Sequence, residues 1–104
     1  MKTENTASIK LKDGRFYKKG REFIVIPSVK KPASHALVVP KSGGESFSIP
    51  YMRLPAYFSN FHLITQEEIE KSLVESICPS ITGELVSIDA FDSLGFPSWR
   101  LVID

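Results

Sequence analysis

The chain has 104 residues, of which 42% are hydrophobic and 24% are charged. It is therefore long enough for one hydrophobic core and too apolar for an intrinsically disordered protein. Its longest apolar runs are four residues, whereas a membrane-spanning helix needs about twenty, so we expect no membrane partner. The single cysteine, Cys78, excludes an intrachain disulfide and a zinc site built on paired cysteines, and it favours a cytoplasmic protein.

The net charge of +1 is distributed unevenly along the chain. Residues 1–53 carry eleven Lys or Arg and four Asp or Glu, whereas residues 54–104 carry two and eight. Halves of opposite sign are typical of a nucleic-acid surface, of a head-to-tail partner, or of two faces that attract each other within one fold. The sequence leaves these three explanations open.

The first predicted element is a β-hairpin. Apolar and lysine residues alternate from residue 8 onward, which indicates a half-buried strand. An Asp-Gly pair at 13–14 favours a two-residue type I′ turn. That turn would place Leu11 opposite Phe16 on the core side and Lys10 opposite Tyr17 on the polar side.

A third strand is predicted to follow the hairpin. A second turn at residues 19–20 would set Phe16 opposite Phe23. The unbroken apolar run through residues 24–26, stopped by Pro27, indicates a strand that is buried on both faces.

The middle of the chain is predicted to contain two more strands, over residues 36–39 and 46–49. Prolines and aromatic residues crowd residues 50–61, and prolines disfavour a regular element there. We therefore expect an ordered connection that lays aromatic rings over the core.

One helix is predicted near residues 66–78. Thr65 and Glu68 have the spacing of a capping box, in which each side chain accepts a hydrogen bond from the other residue's backbone amide. Apolar residues recur every four positions and are predicted to face the sheet. They are Ile69, Leu73 and Ile77.

Strands over residues 85–90 and 99–103 complete the predicted fold. We expect one α+β domain over residues 1–104, with residues 1–6 as a disordered tail. Its antiparallel sheet of five to seven strands would pack on the helix near 66–78, and closure into a half-barrel is an alternative. The predicted core consists of Leu11, Phe16, Phe23, Ile24, Ile26, Val38, Ile49, Ile69, Leu73, Ile77, Val86, Ile88, Trp99 and Leu101.

No set of residues has the spacing of a catalytic, cofactor or metal site, so we expect none of these. Asp89 and Asp92 are the nearest approach to a carboxylate pair, but Asp92 beside Ser93 and Gly95 is typical of a turn. Two histidines and several serines lack the strand–nucleophile–helix context of a hydrolase.

A short C-terminal stretch carries a family resemblance. Asp92, Gly95, Pro97, Ser98 and Trp99 resemble a segment of small uncharacterised proteins of phages and other mobile elements. The resemblance covers about fifteen residues, from Asp89 to Ile103, by comparison of the motif alone. It implies an accessory gene product and no particular chemistry.

Three classes of function follow from these observations, and an enzyme is the least favoured because no set of nucleophile, base and stabiliser can be assembled. The favoured one is a small non-enzymatic protein-binding module, such as an inhibitor or adaptor, whose partner is another protein or a second copy in a homodimer. It would use an exposed aromatic surface made of Tyr51, Tyr57 and Phe58. The alternative is nucleic-acid binding through basic hairpins. The residues of that surface would be Lys10, Lys12, Arg15, Tyr17, Lys18, Lys19 and Arg21.

Overall fold

A computed structural model describes residues 1–103, and short strands dominate it. The elements are β1 (Lys2–Glu4), β2 (Ile9–Lys10), β3 (Phe16–Tyr17), β4 (Glu22–Pro27), β5 (His35–Pro40), β6 (Phe47–Pro50), a 3₁₀ helix (Tyr51–Arg53), α1 (Leu54–Tyr57), α2 (Gln66–Glu75), β7 (Ile77–Pro79), β8 (Leu85–Ser87) and α3 (Trp99–Ile103).

The strands form three separate antiparallel sheets. The main sheet has four strands in the order β1-β4-β5-β6, while β2 pairs with β3 and β7 pairs with β8. The α+β class is therefore confirmed, whereas a single sheet of five to seven strands is not, and no closed barrel forms. No helix within residues 1–103 is long and apolar enough to cross a membrane.

The main sheet covers the core with one face only. Phe23 and Val25 are fully buried on β4, whereas Ile24 and Ile26 between them are exposed. The predicted burial of residues 24–26 on both faces is therefore wrong, because this antiparallel sheet is packed on one side and alternates along the strand.

The connection after β6 completes the core, as expected from its aromatic residues, but it contains a 3₁₀ helix and helix α1, so the predicted lack of a regular element there is wrong. Tyr51 and Leu54 are fully buried, and Phe58 is 2% exposed. The Tyr51 ring packs edge-on against Phe96, and its hydroxyl donates to the Pro32 carbonyl at 2.7 Å. Burial, reinforced by a nearby carboxylate, raises the pKa of Tyr51, so this phenol stays protonated and keeps its hydrogen bond.

The N-terminus is part of the main sheet. Strand β1 pairs with β4, with Thr3 opposite Phe23. The predicted disordered tail over residues 1–6 is therefore wrong, and so is the predicted pairing of Phe16 with Phe23. A period-two pattern over three polar residues carries too little signal to predict this strand.

The hairpin forms with a different register from the predicted one. Ile9 lies opposite Tyr17, and Lys10 lies opposite Phe16. Tyr17 is consequently buried at 5% exposure, whereas Phe16 is 61% exposed. A slip of one residue moves every side chain to the other face of a strand, so the predicted pairing of Leu11 with Phe16 is wrong.

The turn explains the slip. The Leu11 amide donates to the Arg15 carbonyl at 2.8 Å, and the Gly14 amide donates to the Leu11 carbonyl at 3.0 Å. Gly14 has a φ of 88°. These contacts define a three-residue loop with a left-handed glycine bulge, which replaces the two-residue turn that the same Asp-Gly pair also fits.

Helix α2 begins as predicted, but its apolar stripe is not buried. The capping box is confirmed, since Thr65 and Glu68 accept each other's backbone amides. Strand β7 packs against α2, and the buried residue of the helix is the small Ser72. Leu73 is 67% exposed and Ile77 is 47% exposed. Their predicted place in the core is therefore wrong: the helix turns Ser72, not Leu73, to the domain, and it ends at Glu75 instead of continuing to residue 78, so Ile77 lies on strand β7.

The capping box predicts a pH-dependent stability. Burial raises the pKa of Glu68, but hydrogen bonds from Thr65 and His62 outweigh it and hold that pKa below its usual range. The contribution of the ionised Glu68 is therefore complete above the unfolded-state pKa of about 4.3 and is lost as the pH falls through the lower folded-state value.

We expect Glu68→Gln to lower the free energy of unfolding by less than about 1 kcal/mol at pH 7. The difference from the wild type should shrink as the pH is lowered below about 4. Urea titrations across this range measure it, with Glu67→Gln in the same helical turn as the control. A difference that does not change with pH would contradict the assignment.

The C-terminal residues 99–103 form helix α3, so the predicted strand is wrong. Ser98 accepts a hydrogen bond from the Leu101 amide at 3.4 Å, as an N-cap residue does. Trp99 is fully buried, as predicted, and its indole nitrogen donates to the His62 carbonyl at 2.6 Å. The predicted strand over residues 85–90 is shortened to β8 (Leu85–Ser87).

Candidate protein-binding groove

An open groove separates the β2–β3 hairpin from the edge of the main sheet. Its volume is about 670 Å³. One wall comes from Ser8, β2 and the turn after it, the other from β6 and the two residues before it, and the connection at Arg53 and Tyr57 contributes one end. The lining residues are Ser8, Ile9, Lys10, Leu11, Lys12, Asp13, Glu45, Ser46, Phe47, Ser48, Ile49, Pro50, Arg53 and Tyr57.

Strand β6 presents an unpaired edge to this groove. The Tyr51 amide donates to the Ser34 carbonyl at 3.1 Å, and Ile49 and Phe47 continue this register along β5. Bonded and non-bonded pairs alternate in an antiparallel ladder. The N–H and C=O of Ser48 therefore point away from β5, and no residue within 1–103 forms a hydrogen bond with them.

The opposite edge of the main sheet is covered over part of its length. On β1, the Glu4 carbonyl accepts from the Ser59 amide at 3.0 Å, and the Thr6 amide just beyond it donates to the Tyr57 carbonyl at 2.7 Å. The Thr3 hydroxyl also donates to the Ser59 carbonyl at 2.5 Å. Residues 57–59 thus cover the end of β1 and leave the outward backbone of Lys2 unpaired, whereas no segment within residues 1–103 pairs with the outer edge of β6.

The hairpin wall has a similar unpaired backbone. Leu11 bonds to Arg15, and Ile9 lies opposite Tyr17 in the same register. By the same alternation, the N–H and C=O of Lys10 point away from β3. No backbone hydrogen bond joins the hairpin to β6 among residues 1–103, so both strands bordering the groove carry unused backbone donors and acceptors.

Side chains hold the hairpin beside β6 without closing the groove. The Tyr17 hydroxyl donates to the Glu45 carbonyl at 2.9 Å, and the Tyr17 ring stacks on Phe47 at 6.1 Å between centroids. Arg15 forms ion pairs with Asp13 and with Glu45. The spacing of the two walls is therefore fixed by a buried tyrosine and an arginine bridge.

The electrostatics of the groove follow from the arginine bridge. The backbone amide and side chain of Arg15 hold the pKa of Asp13 below its usual range, so its carboxylate stays ionised and paired. Lys12 and Arg53 form no hydrogen bond or ion pair within the described chain. The acidic lining residues are thus engaged, while two of the cations are available.

The predicted aromatic surface does not exist as expected. Tyr51 and Phe58 are buried, so neither contributes to an exposed patch, and that prediction is wrong for both. Both rings pack inside the core, where Tyr51 lies edge-on to Phe96 and Phe58 lies edge-on to Phe23. Tyr57 is half-buried and lines the groove, so of the three only it belongs to the candidate site.

The residues predicted for nucleic-acid binding do not form one exposed surface, because some are buried or paired within the fold. Tyr17 is buried and cannot stack on a base, so that part of the prediction is wrong. Arg21 donates to the Gly43 carbonyl at 2.8 Å and lies over the Tyr17 ring, and Arg15 forms the bridge to Glu45. The lysines of the set are exposed: Lys10, Lys12, Lys18 and Lys19.

The residues considered for catalysis do not assemble into a site. Asp92 is buried as a hydrogen-bond acceptor in its turn, while Asp89 is exposed. Ser34 and His35 share a hydrogen bond of 2.7 Å on the surface. Within residues 1–103, no three His, Cys, Asp or Glu side chains are grouped so that they could hold a metal ion.

Comparisons with known proteins add no assignment. No family model matches the chain. Neither a curated protein nor a solved structure shows significant similarity to it. Sequence reasoning predicted β6 but missed the groove, because its free edge depends on which strands lie beside it.

Proposed function

We propose that this protein is a small protein-binding module that captures an extended segment of a partner by strand addition at β6. The observation that carries the proposal is the outward-facing backbone of Ser48 on an uncovered sheet edge, bordered by a groove. Strand addition takes affinity from backbone hydrogen bonds and specificity from side-chain contacts that alternate along the strand.

The floor of the groove supplies the apolar part of the contact. Ile9 and Ile49 are buried beneath it, and Leu11 and Phe47 are half-buried against the same core. An added strand points every second side chain one way. Alternate apolar residues of the partner would therefore cover this floor, while its backbone bonds to Ser48.

A proline at position 48 tests the backbone contact. The Ser48 N–H is not used in the ladder with β5, so Ser48→Pro removes an outward donor and no native hydrogen bond. We expect Ser48→Pro to weaken peptide binding by at least about tenfold, since one hydrogen bond and the fit of the strand are lost. Ser48→Ala retains the amide and is the matched control.

The probe is a short fluorescent peptide in which valine alternates with glutamine, used at trace concentration in an anisotropy titration. A peptide with the same side chains but N-methylated throughout is the second probe, and it should not bind. This comparison needs no protein variant, so it remains decisive even if Ser48→Pro does not fold.

Any one of four results would overturn the proposal. The first is equal affinity of Ser48→Pro and Ser48→Ala for the peptide, and the second is binding of the methylated form. The third is a dimer in sedimentation experiments that Ser48→Pro converts to monomer, because the occupant of the edge would then be a second copy. The fourth is failure of valine peptides of every charge to bind.

A further inference from the structure

We infer that the partner segment is acidic, with carboxylates alternating with apolar residues. This inference rests on the proposed function and names the chemistry of its partner. It depends on the charges around the groove and on the face of the hairpin strand that Lys10 and Lys12 share.

The groove has cations without partners and anions with partners. Lys12 and Arg53 line it with no ion pair within residues 1–103. Its two carboxylates, Asp13 and Glu45, are both bound to Arg15. A carboxylate of the partner therefore meets available positive charge, whereas a lysine of the partner meets two carboxylates that already share Arg15.

The positions of these charges match the pleat of a strand. Along β2, Ile9 faces the core and Lys10 is exposed, and the chain continues with a half-buried Leu11 and an exposed Lys12. A strand lying in the groove with its apolar side chains on the floor points the intervening ones to the same surface as Lys10 and Lys12. Carboxylates at those positions fall beside the lysines.

The overall charge of the chain supports the same partner. All the residues that line the groove lie within residues 8–57, in or next to the half of the chain with eleven basic and four acidic residues. A positive surface attracts an acidic segment at a distance and speeds its association at low ionic strength.

Three matched peptides test the inference, with valine alternating with glutamate, glutamine or lysine. We expect the glutamate peptide to bind about tenfold more tightly than the glutamine peptide at low salt, since each exposed pair contributes little and two or three act together. The lysine peptide should bind least well, and added salt should reduce the preference.

The preference should also depend on the two unpaired cations. The double variant Lys12→Gln/Arg53→Gln should lose most of the preference for the glutamate peptide over the glutamine peptide, and Lys10 should keep the remainder. Lys18→Gln/Lys19→Gln is the matched control, because these lysines are exposed and lie outside the groove lining. It should retain the preference.

The outcomes separate the two proposals. If the glutamine or lysine peptide binds as tightly as the glutamate peptide and Ser48→Pro still weakens binding, the acidic partner is wrong and strand addition stands. If no peptide binds, strand addition itself is wrong. A single-stranded oligonucleotide that binds more tightly than the glutamate peptide, and loses affinity in Lys12→Gln/Arg53→Gln, would replace the acidic segment with nucleic acid.

Discussion

Replacing Asp92 with alanine is expected to lower the free energy of unfolding by about 3–4 kcal/mol. The carboxylate is 7% exposed and accepts four hydrogen bonds. One oxygen accepts from the hydroxyls of Ser80 at 2.6 Å and Thr82 at 2.7 Å. The other accepts from the amides of Leu94 and Phe96, each at 2.9 Å.

The size of this effect comes from the donors that are left behind. Alanine cannot accept any of the four bonds, and a buried donor without a partner costs more than the bond itself contributes. Asp92→Asn keeps one accepting oxygen, so its expected loss is smaller, about 1–2 kcal/mol. Urea unfolding measures both variants.

Asp89→Ala is the control for Asp92→Ala, because Asp89 is exposed and surface substitutions of this kind stay within about 0.5 kcal/mol. A loss below 1 kcal/mol for Asp92→Ala, within error of that control, would show that the Asp92 network does not stabilise the turn.

Replacing Asn5 with aspartate is expected to cost more than about 3 kcal/mol, although the two side chains have the same shape. Asn5 is 1% exposed. Its side-chain nitrogen donates to the carbonyls of Ala7, Tyr17 and Lys18 at 2.8–3.2 Å, and its oxygen accepts from the Arg21 amide at 2.8 Å.

An ionised aspartate would turn a second oxygen toward those three carbonyls, with no proton to donate and little access to water. Asn5→Ala removes the bonds without adding charge, so we expect a loss of about 2–3 kcal/mol. Thr6→Ala is the control, since this exposed neighbour uses only its backbone amide. Thermal and urea unfolding should give the same order of the three variants.

The Asn5 prediction also bears on the groove. The side chain joins the end of β1 to the end of the hairpin, and the hairpin is one wall of the proposed binding site. Variants at Asn5 that still fold at low temperature should therefore bind the glutamate peptide less tightly. An Asn5 variant with reduced stability and unchanged peptide affinity would show that the hairpin wall does not contribute to binding.

The C-terminal stretch that carries the family resemblance has a structural role in the fold. The resemblance of Asp92, Gly95, Pro97, Ser98 and Trp99 to small phage and mobile-element proteins stays a prediction. These residues stabilise the fold, since Asp92 accepts hydrogen bonds from backbone amides of its turn and Trp99 is buried in the core. Neither role depends on the origin of the gene.

The elements whose signals are local can be predicted from the sequence. The start of α2 follows from Thr65 and Glu68, which are three positions apart and satisfy each other's amides. The strand near residues 36–39 follows from an apolar run, and the one near residues 46–49 follows from serines that alternate with apolar residues, each bounded by turn residues. In each case the residues that decide the structure are close together in the chain.

Contacts between distant segments determine the register of the hairpin, the burial of Tyr17 and the free edge of β6, so these features cannot be predicted from local sequence patterns. Two turn geometries fit the Asp-Gly pair, and the choice between them depends on Phe23 and Phe47, which receive the Tyr17 ring. Whether an edge is open depends on the strand that lies next to it. Residues 57–59 cover the end of β1, whereas the hairpin forms no backbone hydrogen bond with β6. Both arrangements depend on segments that are distant in the sequence, so local sequence patterns do not predict them.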